Sequence, residues 1–258
     1  TSEGSPHGDS PSGPSPLRER LGEGESPVVL SATTSTTALV NTLTNTNLLH
    51  RQHAQRLLIE RQDNEAIPAL IALVRDRTVD AIGLNPGAIH ALWTLHGLGA
   101  FENTDPGAGA RAAAVEALRH PSPGVRRNAV QVLPHDDAAL RAILDAGLLN
   151  DENAHVRLAA LLAISDVSGT PVTSDRAGAA VFAMMQQPRN ADDPWITAAA
   201  TTAAATHDSG FLRAVLSASN SKGVGASVPT RSEHVDEVTP TNLIQNATFE
   251  NIHQNKPQ

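Results

Sequence analysis

The chain has 258 residues, a net charge of −8, no Cys and no Tyr. Without Cys it cannot build a disulfide, a thiolate zinc site, a cysteine nucleophile or a thioether-linked haem. The acidic balance, with Arg126-Arg127 as the longest basic run, speaks against a nucleic-acid surface, which needs clustered Lys and Arg to neutralise phosphates.

Apolar residues make up 40% and aromatic residues 2%, so the core is expected to be Ala and Leu, a composition that suits closely packed helices better than a β-sandwich. No stretch approaches the ~18 apolar residues of a membrane span. The chain starts at Thr1 without Met and without an apolar leader segment, and is read as a piece of a longer polypeptide.

In chain order, residues 1–34 form a linker. From Ser5-Pro6 to Ser26-Pro27 they are rich in Pro, Gly and Ser and cannot bury enough apolar surface to offset the entropy of ordering. A short helix is expected over 35–44, with Ser35 or Thr36 as N-cap and Ala38, Leu39, Val40 and Leu43 on its apolar side. Five helix pairs follow. They are Leu48–Glu60 with Ala66–Arg75, Ala88–Leu98 with Ala110–Arg119, and Val125–Leu133 with Ala138–Leu148. Val156–Ile164 with Arg176–Met185 and Trp195–Ala205 with Phe211–Ser217 complete the set. Breakers separate them at Asn85-Pro86-Gly87, His120-Pro121-Ser122-Pro123, Pro134 and Asp193-Pro194, while Pro68 sits in a first helical turn, where its missing N–H costs nothing. Residues 218–240 read as a second linker.

The helical body, 35–217, repeats a phrase. Gly124-Val125-Arg126-Arg127-Asn128-Ala129 returns as Ala154-His155-Val156-Arg157-Leu158-Ala159-Ala160, and the frame fits His50-Arg51-Gln52-His53-Ala54, Gly87-Ala88-Ile89-His90-Ala91 and Ile196-Thr197-Ala198-Ala199-Ala200. The small residue recurs at positions 54, 91, 129, 160 and 200, spacings of 37, 38, 31 and 40. A period of roughly 30–47 residues with two helices per unit marks an α-solenoid. The expected fold is all-α.

The Val-Arg-x-x-Ala frame resembles the HEAT family, which implies a right-handed α-solenoid of about five HEAT-like pairs with irregular termini. In that family an Arg of one unit and an Asp of a neighbour form an internal ladder. Arg51, Arg126 and Arg157 match the Arg position, Ala88 and Thr197 do not, and Asp63 and Asp151 are the candidate partners. A partly buried Arg needs such a carboxylate. Leu49–Leu58, Gly87–Leu95, His120–Ala129 and Val156–Leu162 together look like the HEAT segment downstream of the β-propeller in large bacterial membrane-bound or sorbosone-type sugar dehydrogenases. Residues 241–258, with Asn242-Leu243-Ile244-Gln245-Asn246 and Phe249-Glu250, resemble the opening strand of a carbohydrate-binding jelly-roll module, truncated here.

Candidate sites are few. His50 and His53 share a helix face and make half a metal site, without the internal Glu of a HExxH arrangement; no metal or other cofactor is expected. His90 reads as a hydrogen-bonded residue between repeats and His120 as a helix-terminal one. Trp93 and Trp195 read as packing residues, whereas an exposed indole would be an anchor for a sugar or a partner. Arg75, Arg111, Arg119 and Arg141 fall on successive second helices, which line the concave face in HEAT solenoids, and form a candidate surface for an acidic protein partner. No nucleophile elbow or phosphate-binding loop has its required context.

The function expected is that of a non-catalytic scaffold or interaction module in a larger extracytoplasmic (periplasmic or extracellular) carbohydrate-related protein. Its partners would be the neighbouring domains, a propeller upstream and a glycan-binding module downstream. The alternatives are an accessory part of a sugar dehydrogenase whose catalytic domain lies outside this chain, and a stand-alone peptide-binding solenoid.

Overall fold

A computed structural model of the chain describes residues 30–102 and 107–223. All regular elements among them are helical. The α-helices are α1 (Thr36–Thr42), α2 (Leu48–Glu60), α3 (Ile67–Arg75), α4 (Pro86–Gly97), α5 (Gly107–Ala117), α6 (Pro123–Val132), α7 (Asp137–Asp145), α8 (Ala154–Ser165), α9 (Pro171–Met185), α10 (Pro194–Thr206) and α11 (Asp208–Gly223). The chain divides into a unit ending at Ala218 and another beginning at Ser219; the arrangement below concerns the first. No helix among the described residues is long and apolar enough to cross a membrane.

Helix starts follow side-chain chemistry. Proline occupies the first position of α4, α6, α9 and α10, where its missing N–H has no intrahelical partner to lose. Side-chain oxygens of Ser35, Asn47, Asn85, Asp136, Asn153, Thr170 and Asp193 accept from the first-turn N–H groups of their helices. Each such cap contributes about 1 kcal/mol.

The even-numbered helices α2, α4, α6, α8 and α10 pack in a row, each on the next. Each odd helix from α3 to α9 packs on the even helix that follows it, and α3–α5 and α7–α9 pack within the second row. The recurring small residue explains the first row: Ala54, Ala91, Ala129, Ala160 and Ala200 are all 0% exposed. A methyl at that position lets neighbouring helix axes approach closely. One turn later Leu58, Leu95 and Ile164 are also fully buried, each contributing about 1.5–3 kcal/mol. One hydrophobic cluster extends from Leu39 to Ala203.

Several boundaries differ from those read in the sequence. α7 stops at Asp145, because Gly147 adopts φ 72° and starts a separate turn, Leu148–Asn150, whose leucines are buried. α9 starts at Pro171 rather than Arg176, since Thr170 caps Thr173 N–H and proline sets the first φ. α11 runs on to Gly223, so residues 218–223 of the expected linker are helical. Residues 30–34 are tied back by Arg61, whose guanidinium donates to Thr34 O (2.6 Å) and Ser31 O (2.7 Å). Residues 241–258 lie outside the described residues.

Candidate functional site

The arginine of the repeated phrase does the same thing each time it occurs. Nη1 of Arg51 donates to the carbonyls of Asn45 (2.6 Å) and Thr46 (2.9 Å). Nη1 of Arg126 donates to those of His120 (2.8 Å) and Pro121 (2.9 Å), and that of Arg157 to Asp151 (2.8 Å) and Glu152 (3.0 Å). In all three the acceptors lie six and five residues upstream, so each arginine folds back over its own helix start and satisfies the carbonyls of the incoming loop. Where the frame carries Ala88 instead, Asn85 braces the loop, its Nδ2 donating to Asp76 O (3.0 Å) and Thr78 O (2.9 Å).

Among the described residues, one of these arginines also binds a carboxylate across units. Nε and Nη2 of Arg126 donate to the two oxygens of Asp151 at 2.7 and 2.8 Å. The side chains are 17% and 7% exposed. Asp151 thus serves two units, its carboxylate holding Arg126 and its carbonyl holding Arg157. Asp63 instead accepts from Thr36 Oγ1 (2.6 Å), joining the loop after α2 to α1, and among the described ion pairs Arg51 and Arg157 have no carboxylate partner. Arg157 is 4% exposed with its Nε unbonded. Burial, followed by the charge of Arg189, holds its pKa below the ordinary guanidinium value.

Among the described residues the second helices carry more ion pairing than the first, and no local spacing in the sequence marks it. Arg75 binds both oxygens of Glu116 (2.9 and 3.1 Å), and Arg111 both oxygens of Asp136 (2.6 and 2.7 Å). Arg119 donates to Asp145 O (2.7 Å), while Arg141 pairs with Asp137 within α7. Arg176 continues the series to Asp145 (2.6 Å) and Arg213 to Asp175 (2.5 Å). Links therefore run along α3–α5–α7–α9–α11. The four arginines considered for an acidic partner are engaged by groups of the chain itself, three of them by carboxylates. Burial pushes the Asp136 carboxyl up, yet its bonds from Arg111 and the Ala139 N–H hold it below the usual range.

The histidines divide by partner. His90 Nδ1 meets Gln55 Oε1 at 2.6 Å, α4 to α2. His120 is 2% exposed; its Nε2 reaches Asp76 O (2.8 Å), and its Nδ1 accepts from Ser122 N–H (3.0 Å). His207, fully buried, places Nε2 on Ile164 O (2.9 Å) and Nδ1 on Ser174 Oγ (2.9 Å). His50 and His53 lie on α2, His50 with an unbonded buried Nδ1, and no group of three or more metal-ligating side chains occurs among the described residues.

Two of the surface grooves among the described residues are well formed. One of about 420 Å³ lies between α2 and α4, lined by Gln52, Gln55, Arg56, Ile59, Glu60 and His90. The other, about 220 Å³, involves His96, Phe101, Glu102, Gln131 and His135. Neither includes Ser174 or His207.

No family model and no curated protein matches the chain.

The two indoles separate. Trp93 packs between helices and donates Nε1–H to Asn128 Oδ1 (2.7 Å), with its ring edge-on to His96. Trp195 overturns the packing expectation: it is 74% exposed at the start of α10, because Asp193 capping the Trp195 and Ile196 N–H groups fixes a register that buries Ile196 instead. Trp195→Ala is expected to change stability by no more than about 0.5 kcal/mol and to remove the red-shifted part of the tryptophan emission. A clear loss of thermal stability would contradict the exposure.

Proposed function

We propose that these helices form a right-handed HEAT-like solenoid of about five pairs, a non-catalytic scaffold and interaction module of a larger polypeptide. The observation that supports it best is the recurrent arginine brace, in which Arg51, Arg126 and Arg157 each hold the carbonyls six and five residues upstream. A loop pinned to its own helix is a unit of fixed geometry, and such units stacked on a common core make a stiff element whose stability adds from neighbour to neighbour. The ion pairs along the second helices add rigidity across units. In this reading the array spaces a propeller upstream from a glycan-binding module downstream, in the periplasm or outside the cell. That placement rests on the resemblance of the repeated phrases. Blotting fractions of the source cells with an antibody against residues 47–217 tests it. The expected result is a band far larger than 27.0 kDa in an extracytoplasmic fraction; a band of that size in the cytoplasm removes the spacer reading.

The exposure of Trp195 favours a second reading, in which the solenoid holds a protein partner through that end. Immobilised chain would then retain a discrete partner that a Trp195→Ala chain releases. Equal retention by both chains overturns it.

A further inference from the structure

We propose that His120 is an acid-sensitive latch, which in its neutral form ties the start of α6 to the end of α3 and on protonation releases that seam. A carbonyl only accepts, so the contact at 2.8 Å to Asp76 O requires a proton on Nε2. A backbone N–H only donates, so the contact at 3.0 Å from Ser122 requires a lone pair on Nδ1. The two bonds together specify the neutral Nε2–H tautomer. Adding a proton at Nδ1 sets it against the Ser122 N–H, in a site where the imidazole is 2% exposed and water cannot take over the bond.

The surroundings do not favour a cation. From the α3 side the charges of Asp76 and Arg77 act on the ring, and Arg77 donates to Arg119 O. From α6, Arg126 donates to the carbonyl of His120 itself and is held on its other side by Asp151. Asp76 has its carboxylate oxygens occupied by the Thr78 N–H and hydroxyl. Burial first, and the charges of Arg77 and Arg126 after it, outweigh the Asp76 carbonyl and carboxylate and hold the imidazole below its ordinary value of 6.5. Because the folded value lies below the unfolded one, the stabilisation is fully present above pH 6.5 and is lost as the pH falls from there toward the folded value.

The other buried histidine gives the contrast. His207 shares the Nε2-to-carbonyl bond, but its Nδ1 meets the Ser174 hydroxyl, which reverses from donor to acceptor by rotating. Its hydrogen bonds survive a second proton. The Nδ1 of His90 already donates to Gln55 Oε1, and that bond survives as well.

Hydrogen exchange on the full chain at pH 7.5 and pH 5.5, corrected for intrinsic rates, tests the latch, with His120→Gln alongside. Glutamine keeps a donor for Asp76 O and does not titrate. In the natural chain exchange over residues 76–85 and 119–126 is expected to accelerate severalfold at pH 5.5, and in His120→Gln that local response is expected to vanish. Equal exchange at both pH values, or the same response in a variant that melts normally at pH 7.5, overturns the latch. Should His120→Gln fail to fold, nitrogen-15 shifts of the natural chain decide: Nδ1 must be unprotonated at pH 7.5 and gain its proton together with the exchange change. A proton on Nδ1 at pH 7.5 also overturns it.

Discussion

Gly178→Ala is expected to destabilise the chain by about 3 kcal/mol, the upper part of the range for overpacking a tight site. In a helix interior glycine is ordinarily worse than alanine by about 0.5–1 kcal/mol, so the expected sign is opposite to helix propensity. The reason is the contact between α9 and α11. A Cβ on Gly178 would stand 2.3 Å from the Phe211 nitrogen and 2.4 Å from the His207 oxygen, and one on Gly210 would stand 2.3 Å from the Asp175 oxygen. These neighbours are backbone and cannot rotate away. The two helices must part, and Phe211 loses its edge-on contact with Phe182, at 5.8 Å between ring centres. Gly109→Ala serves as the control, because its Cβ would meet only Ile71 Cδ1 at 3.3 Å. Thermal unfolding with hydrogen exchange over 208–220 measures both. If Gly178→Ala melts at or above the parent temperature, the close crossing of α9 and α11 is wrong.

Arg126→Ala should cost about 3 kcal/mol, since removing one member of a largely buried pair strands the other. For a domain of this size that is a fall in Tm of roughly 6–12 °C. The change exposes the loop carbonyls of His120 and Pro121 to a lost bond and leaves Asp151 with a single side-chain bond, from the Asn153 N–H. Arg75→Ala should cost no more than about 1 kcal/mol despite its equally good geometry, because Arg75 and Glu116 are about half exposed and water competes for them. Urea denaturation of both variants decides between the two causes. A similar loss for both would mean that burial does not set the strength of these pairs. Arg126→Lys should recover less than half of the loss, since an ammonium cannot bind the carboxylate through two donors while also bracing two carbonyls.

Some of this was written plainly in the residues. The five small positions from Ala54 to Ala200 mark the row of even-numbered helices, because a helix crossing accepts a methyl and little else, and that requirement is local. Pro86, Pro123 and Pro194 mark helix starts for an equally local reason. Lateral register was not legible. Arg176 and Asp145 are 31 residues apart and Arg213 and Asp175 are 38 apart, and only the offset between neighbouring helices brings them together. The same holds for Gly178 and Gly210, each of which reads in isolation as a weak point of a helix and in the fold is what lets two helices touch. Trp195 was misread because aromatic character suggests burial, whereas the Asp193 cap two residues earlier decided which side of α10 faces the core.

The arginine brace bears on how such an array can change its length. Each brace closes within its own unit, so duplicating or deleting a unit bounded by those loops leaves the remaining braces intact. The Arg126–Asp151 bridge is different, because it spans two units and fixes which follows which. Of the ion pairs that span units it is the most buried, so recombination is penalised most where it would separate Arg126 from Asp151.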